Sequence, residues 1–118
     1  MITDMKIPLF DAGGATDLLC PRCGAHGLHH KGVKVIDRSE DGEIATVTSV
    51  DGCNVSMKQM ANAESGNPSR RRDGIVISFF CEQCTNWGQT GEVIELTLAQ
   101  HKGTTEIGWR YPPKGPKA

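Results

Sequence analysis

The chain has 118 residues, including 14 Gly and 6 Pro, and is 37% hydrophobic and 5% aromatic. This length corresponds to one domain, whose core is small enough to need support from a metal or a partner. The composition favours a turn-rich β protein over an enzyme with a large core. Thirteen Lys and Arg against fourteen Asp and Glu give a formal net charge of -1, which excludes a strong overall field for a polyanion.

The apolar runs and the N-terminal residues predict where in the cell the protein is found, and the two terminal segments predict where its ordered domain begins and ends. No run approaches the ~18 apolar residues of a membrane-spanning helix, and Met1 to Phe10 lacks the regions of a secretory signal. We therefore expect a cytoplasmic protein with no membrane contact. Residues 1–16 predict a weakly ordered lead-in, and the proline-rich residues 112–118 predict a flexible tail.

The first ordered feature is a Cys-x-x-Cys-Gly turn, Cys20 to Gly24, in which a sharp change of direction aims two sulfurs at one point. Residues 28–38 are β-branched and roughly alternating, which predicts a strand. Two further β-rich runs, 44–50 and 53–58, are separated by Asp51-Gly52, a dipeptide typical of hairpin turns.

The second half of the chain begins with a polar, basic stretch, 60–73, which predicts an exposed loop. Residues 74–80 are apolar on both alternations and predict a central strand covered on both faces. This strand leads directly into a second Cys-x-x-Cys turn, 81–84. After a polar connection, residues 93–100 predict a half-buried strand that returns, through a turn at 101–103, as a last strand over 104–111.

The strongest signal is the pair of Cys-x-x-Cys turns, whose ligands are Cys20, Cys23, Cys81 and Cys84. In a reducing cytosol such pairs indicate a metal more often than disulfides. Four thiolates at ~2.3 Å close a tetrahedral shell, which predicts one structural Zn2+ per chain. Iron in a rubredoxin-like site is the main alternative, followed by redox or disulfide chemistry. The fifth cysteine, Cys53, is expected to be an incidental thiol.

The distance in sequence between the two turns is unusual. They are separated by 57 residues, whereas a compact ribbon has roughly 15–20. The predicted fold class is therefore mostly β, a small antiparallel sheet built on a four-cysteine zinc ribbon. Its domain covers 17–111, with a long inserted hairpin and loop over 28–73 between the two turns. We expect specific function to reside in this insertion.

A basic surface is predicted at the end of the sheet away from the metal. The strand 74–80 ends at the second turn, so its start lies roughly 20–25 Å from the metal, and the turn at 101–103 is also one strand length away. The predicted anion- or partner-binding residues are Asn67, Ser69, Arg70, Arg71, Arg72, Gln100, His101 and Lys102. Arginine engages phosphate and carboxylate bidentately. The alternatives are a solvated arginine surface, or a loop ordered by Asp73 pairing with one arginine.

An enzyme is the least favoured hypothesis. The two turns, His29-His30 and Asn86 are similar to elements of His-Asn-His nucleases, but Trp87-Gly88 and a strand-like run stand where that pattern requires a helix. In a strand, His29 and His30 point to opposite faces and cannot act jointly on one substrate. The sequence also has no Gly-framed nucleophile and no phosphate-cradling loop before a helix.

Several strings of residues resemble a group of small uncharacterised four-cysteine zinc-ribbon proteins of actinobacteria and their phages. They are His29-His30, the loop 67–74, the second Cys-x-x-Cys turn, and the stretch from Gln100 to Trp109. The resemblance extends over about 19–109. It implies a phage or mobile-element protein in the cytoplasm of a bacterial host cell, and it implies no particular activity.

Two functions therefore stand ahead of an enzyme. The first is a non-catalytic zinc-ribbon module, an accessory factor that docks on a host or defence protein. The second is nucleic-acid or nucleotide binding through the basic surface. The near-neutral charge favours the first, and the aromatic candidates for base stacking are only Trp87, Trp109 and Tyr111. The sequence leaves the oligomeric state open.

Overall fold

The computed structural model describes residues 17–84 and 93–113. The predicted lead-in 1–16, the connection that contains Asn86 and Trp87, and the part of the predicted tail after residue 113 lie outside the described residues. The elements in chain order are β1 (Leu28–Asp37), β2 (Ile44–Asp51), β3 (Asn54–Ala61), α1 (Asn62–Ser65), β4 (Gly74–Cys81), β5 (Ile94–His101) and β6 (Thr104–Arg110). The mostly β, antiparallel architecture expected from the sequence is confirmed. Neither described stretch contains a helix long and apolar enough to cross a membrane.

The six strands form one antiparallel sheet in the order β3-β2-β1-β4-β5-β6. Strands β1 to β3 are neighbours in chain order, as are β4 to β6, so the sheet consists of two three-stranded meanders. The pairing of β1 with β4 joins them, from Leu28 opposite Cys81 to Ile36 opposite Gly74. This join shifts register between His30 and Gly32, which is a bulge at the end of the sheet that carries the cysteine turns.

Two tight turns fix the registers within the meanders. Gly52 and Cys53 connect β2 to β3, and Gly52 has a φ of +63°, as the first central position of a type II′ turn requires. Lys102 and Gly103 connect β5 to β6 with φ values of +48° and +81°, which corresponds to type I′. Both turn types match the twist of paired strands, so each turn fixes the pairing register of the two strands that it connects.

One face of the sheet is covered, and we call it the covered face. Its core consists of Ile36, Ala45, Val47 and Val76, each at most 4% exposed, with Met60 packed against them. The single-turn helix α1 contacts β2 and β3 beside this core. The expected loop over 60–73 therefore contains a helix and the end of β3, because four residues are too few to show a helical period in the sequence.

On the covered face, the partly buried Arg110 of β6 contacts both β5 and the end of α1. Arg110 Nε donates to Glu95 Oε1 at 2.8 Å, and the guanidinium also donates to the carbonyl of Gly66 at 2.6 Å. The alternation in β5 predicted a solvent-facing Glu95, but this residue is only 7% exposed. Its partner Arg110 explains the difference, because a carboxylate is buried readily only when paired.

The opposite face, which we call the open face, carries large apolar side chains in contact with solvent. They are Val35 (44% exposed), Ile44 (57%), Val50 (45%), Val55 (71%), Met57 (72%) and Ile75 (36%). The expectation that β4 is covered on both faces is therefore wrong at Ile75. Within the described chain, the helix and its neighbouring core lie on the other side of the sheet.

Candidate metal centre and distal surface

The pairing of β1 with β4 brings together the two cysteine turns, which we call the first knuckle (Cys20 to Cys23) and the second knuckle (Cys81 to Cys84). The first knuckle lies shortly before β1, and the second begins at the last residue of β4. Leu28 stands opposite Cys81, and the Glu82 amide continues the contact by donating to the Gly27 carbonyl at 2.8 Å. Antiparallel pairing thus closes the long separation in sequence.

The four sulfur atoms form a compact cluster, all within 4.8 Å of one another. Cys20 Sγ lies 3.7 Å from Cys84 Sγ, and Cys23 Sγ lies 3.6 Å from Cys81 Sγ. A disulfide requires about 2.05 Å, and all four thiols are free. Bonds of about 2.3 Å to a central tetrahedral ion place the sulfurs about 3.8 Å apart. The spacing therefore fits a four-thiolate metal site.

Backbone hydrogen bonds shape the first knuckle. Cys20 N donates to the Ala25 carbonyl at 2.9 Å, and Gly24 N donates to the Cys20 carbonyl at 2.8 Å. Gly24 has a φ of +76°, a left-handed conformation that glycine adopts without steric cost. The Arg22 amide lies 3.4 Å from Cys20 Sγ. These bonds hold the knuckle turned back on itself, with its first sulfur accepting from the backbone.

The thiols of the cluster differ in acidity. Burial disfavours the Cys20 thiolate, but hydrogen bonds from the backbone of Cys23 and Arg22 and from neighbouring thiols outweigh it and lower its pKa to about 6. Burial, reinforced by the neighbouring thiols, raises the pKa of Cys84 to about 12. Four thiols confined together cannot all ionise without a cation. A divalent ion held by these sulfurs would supply the compensating charge.

The remaining cysteine and the first two histidines of β1 do not join this cluster. Cys53 is exposed in the turn between β2 and β3. His29 Nε2 lies 3.1 Å from a Glu82 carboxylate oxygen, and its ring stacks on Phe80 with centroids 5.1 Å apart. His30 is the next residue of the same strand and stands opposite Phe79, so the two rings project to opposite faces as predicted.

At the other end of β4, the structure brings together the two segments predicted to form a basic surface. We call the loop 67–73 with the adjoining turn at 101–102 the distal surface. Gln100 N donates to the Asp73 carbonyl at 3.1 Å, and Ser69 Oγ donates to the Gln100 carbonyl at 2.7 Å. The loop and the turn are therefore neighbours, fastened by backbone contacts.

Two of the predicted polar donors hold the loop in shape. The Asn67 side-chain amide donates to Asn62 Oδ1 and to the Arg72 carbonyl, both at 2.9 Å, and its oxygen accepts from the Ser69 amide. Ser69 is only 5% exposed, and its hydroxyl also accepts from the Arg72 amide at 3.0 Å. These side chains organise the loop from inside.

Acidic residues from the β1–β2 connection meet two of the three arginines. Arg71 contacts Asp41 at 2.7 Å and Glu40 at 3.1 Å, and Arg72 contacts Glu40 at 2.8 Å. No local pattern predicts these pairs, because the acids lie about 30 positions earlier, in a turn that the sheet places beside the loop. Arg70 is exposed and has no ion pair within the described chain. The distal surface thus carries charges of both signs.

Arg38, which the sequence patterns did not single out, anchors the arginine loop. Its guanidinium donates to the carbonyls of Arg72 at 3.0 Å, Gly42 at 2.9 Å and Ser69 at 3.4 Å. Its backbone amide donates to Asp73 Oδ1 at 3.0 Å. Asp73 therefore helps to order the loop, as one alternative anticipated, but through a backbone amide after β1.

We expect Arg71→Ala to raise the pKa of Asp41. The Arg71 hydrogen bond, followed by its charge, holds that pKa below its ordinary value. Because the folded-state pKa is the lower one, the contact stabilises the fold above the unfolded pKa and is lost as pH falls through the folded pKa. NMR titration of the Asp41 carboxyl measures this. Arg72→Ala, which removes the weaker and more distant charge, is the control. An unchanged Asp41 pKa in Arg71→Ala would contradict the pairing.

A cleft of about 360 Å³ on the covered face is lined by residues of β1, β2, β4 and β5. Its lining includes Lys34, Ser49, Asp51 and Glu95, and neither His nor Cys is among the lining residues. Glu95 is engaged by Arg110.

Comparison of the chain with protein-family models, with curated proteins and with solved structures finds no match.

Proposed function

We propose that this chain is a non-catalytic binding module fastened by one structural zinc ion, and that it acts by docking on another protein. The observation that carries the proposal is the four-sulfur cluster, with its edges of 3.6 and 3.7 Å. Zinc is the ion that such a closed four-thiolate set most often holds in a structural role. With all four positions taken by cysteines, no position is left for a substrate or a reactive water.

We also propose that the two knuckles make the chain a zinc ribbon. Two Cys-x-x-Cys knuckles, one preceding β1 and one ending β4, supply two ligands each, which is the ligand plan of a ribbon. Strands β1, β2 and β3 with the loop 67–73 then constitute the insertion between the knuckles. We also propose the setting that the sequence resemblance implies, a phage or mobile-element factor that acts on a host or defence protein.

The charges of the distal surface support a protein partner over a nucleic acid. Arg71 and Arg72 are offset by Glu40 and Asp41, so the surface repels phosphates at some points and attracts them at others. A surface of alternating sign suits a protein with complementary charges, where such patterns fix specificity and orientation. A nucleic-acid interface is normally far more positive.

The test is capture of host proteins from actinobacterial lysate on the immobilised zinc-loaded chain, with and without nuclease treatment. We expect a protein partner that nuclease leaves bound. Lys102→Glu on the distal surface should weaken this binding about tenfold or more, because charges at an interface select the partner. Lys58→Glu, the same change on exposed β3, is the matched control.

Three results would contradict the proposal. One is capture that nuclease abolishes, which would favour nucleic-acid binding. Another is equal binding by Lys102→Glu and the unmodified chain, which would show that the distal surface does not bind the partner. The third is hydrolysis of DNA or RNA that His30→Ala abolishes and Cys53→Ala preserves, because that would make the chain an enzyme.

A further inference from the structure

We propose that a peroxide exchanges the metal of the four-cysteine site for two disulfides, Cys20 with Cys84 and Cys23 with Cys81. Each of these bonds joins one knuckle to the other. The proposal concerns the regulation of the metal site and therefore rests on the proposed function, in which zinc is bound there. It starts from two properties of the cluster, which are the sulfurs that lie next to each other and the sulfurs that solvent reaches.

Two short sulfur-to-sulfur contacts connect the knuckles. Cys20 Sγ lies 3.7 Å from Cys84 Sγ, and Cys23 Sγ lies 3.6 Å from Cys81 Sγ. Together the two contacts use each of the four cysteines once, so both disulfides can be present in the same chain. A disulfide has a length of about 2.05 Å, so each contact has to shorten by about 1.6 Å. This movement is shared between two turns at one end of the sheet.

Each contact pairs one sulfur that solvent reaches with one that is buried. Cys23 is exposed, and its neighbour Cys81 is 0% exposed. Cys84 is half-buried, and its neighbour Cys20 is 0% exposed. An accessible cysteine beside a second thiol is the arrangement in which the first sulfur is oxidised and the second resolves it as a disulfide. Oxidation is therefore expected to begin at Cys23, the most accessible of the four.

The reaction takes place in two equivalent rounds. The Cys23 thiolate attacks one oxygen of the peroxide, the O–O bond breaks, and a sulfenic acid and a hydroxide form. The Cys81 thiolate then attacks the sulfenic sulfur, so that an S–S bond forms, the S–O bond breaks and a second hydroxide leaves. Cys84 and Cys20 repeat these steps with a second peroxide. In total the four sulfurs lose four electrons, the two peroxides gain them, the four hydroxides take protons from solvent, and the divalent ion is released.

The disulfides hold together the same ends of the chain as the metal does. Leu28 stands opposite Cys81, and the Glu82 amide donates to the Gly27 carbonyl, so the β1–β4 pairing continues as far as the knuckles. A disulfide across this point restricts the unfolded chain and thereby stabilises the folded one. Removal of the metal by a chelator leaves four thiols with no bond between the knuckles. We therefore expect the oxidised chain to stay folded without metal, whereas the chelated chain unfolds.

The experiment treats the full-length zinc-loaded chain, carrying Cys53→Ser, with hydrogen peroxide. This substitution removes the exposed fifth thiol, which lies outside the cluster. A zinc-binding dye measures the metal released, peptide mass spectrometry identifies the disulfides, and circular dichroism measures the β signal. We expect release of all the bound zinc, the disulfides Cys20 with Cys84 and Cys23 with Cys81, and a preserved β signal. Dithiothreitol followed by Zn2+ should restore the starting state.

Cys23→His and Cys84→His form a matched pair of variants. Both leave three cysteines and one histidine, a ligand set that structural zinc sites also use. Cys23→His removes the sulfur that is attacked first, so zinc release should slow at least about tenfold. Cys84→His should change the release rate by less than about twofold, because the bond between Cys23 and Cys81 still removes two ligands. Zinc content and circular dichroism before oxidation establish that each variant is folded.

Disulfides within the knuckles, Cys20 with Cys23 and Cys81 with Cys84, overturn the proposal, as does an oxidised chain that is unfolded or still holds its zinc. Equal release rates for the two histidine variants also overturn it. If a histidine variant does not bind zinc, the disulfides found in the chain with four cysteines decide the outcome. A chain that takes up no zinc before oxidation overturns the proposed function as well, so the two failures are distinguishable.

Discussion

A strong chelator is expected to unfold this protein. Four-thiolate zinc sites contribute roughly 10–16 kcal/mol on binding, whereas the whole stability of a small domain is about 5–15 kcal/mol. The largest side chains of the core on the covered face are Ile36, Val47, Val76 and Met60, without a buried aromatic residue in that cluster. Loss of the β circular dichroism signal on chelation, and its return on adding Zn2+, is the measurement. A chain that keeps its fold without metal would contradict the structural role.

The matched pair for this prediction is Cys81→Ser and Cys53→Ser. Both make the same chemical change, but Cys81 is buried in the sulfur cluster and Cys53 is exposed in a turn. We expect Cys81→Ser to bind zinc far more weakly and to melt much earlier, and Cys53→Ser to be unchanged. Equal melting temperatures and equal metal content for the two variants would show that the four-cysteine site does not stabilise the fold.

The second large effect is expected at the ion pair between β5 and β6, in which Glu95 is buried and Arg110 is partly buried. Arg110→Leu leaves the Glu95 carboxylate, whose side chain is only 9% exposed, without its cationic partner. Breaking a buried pair from one side costs about 3–5 kcal/mol, because a charge remains in a poorly solvated place. The variant also removes the donor to the Gly66 carbonyl that ends α1. We therefore expect a loss of about 3 kcal/mol in the free energy of unfolding.

Urea unfolding of the zinc-loaded protein measures this loss, and the double variant Glu95→Leu/Arg110→Leu separates its causes. Replacing both members of a buried pair by apolar residues is often close to neutral, so the double variant should recover more than half of the loss. Arg70→Leu, an exposed arginine, should change stability by less than about 0.5 kcal/mol. If Arg110→Leu is as mild as Arg70→Leu, then the ion pair does not stabilise the fold.

The strands were predictable from the sequence because their signals are local. Alternation placed β1, β5 and β6 within one or two residues of their observed bounds. The Cys-x-x-Cys spacing identified the four residues that the structure gathers within 4.8 Å. In both cases the signal comes from residues that are close together in the sequence, so it can be recognised without knowledge of the tertiary structure.

Long-range pairings could not be predicted in the same way. The partners of Arg71, which are Glu40 and Asp41, and the anchoring bonds of Arg38 depend on which strands lie side by side. A single alternation pattern also cannot tell whether a second layer exists above a strand. For that reason the apolar residues on both sides of β4 predicted full burial, and Ile75 is exposed instead.

The strand order has a consequence for the path by which the chain folds. Each meander consists of contacts between neighbours in sequence, which form quickly and at low entropic cost. Only the β1–β4 seam requires closure of a long loop, whose entropic cost grows with its length. Because both knuckles flank one end of that seam, an ion bound by both knuckles would hold the two ends of this loop together. We therefore expect the free metal concentration to affect how fast the two halves join, and to have little effect on how fast each meander forms.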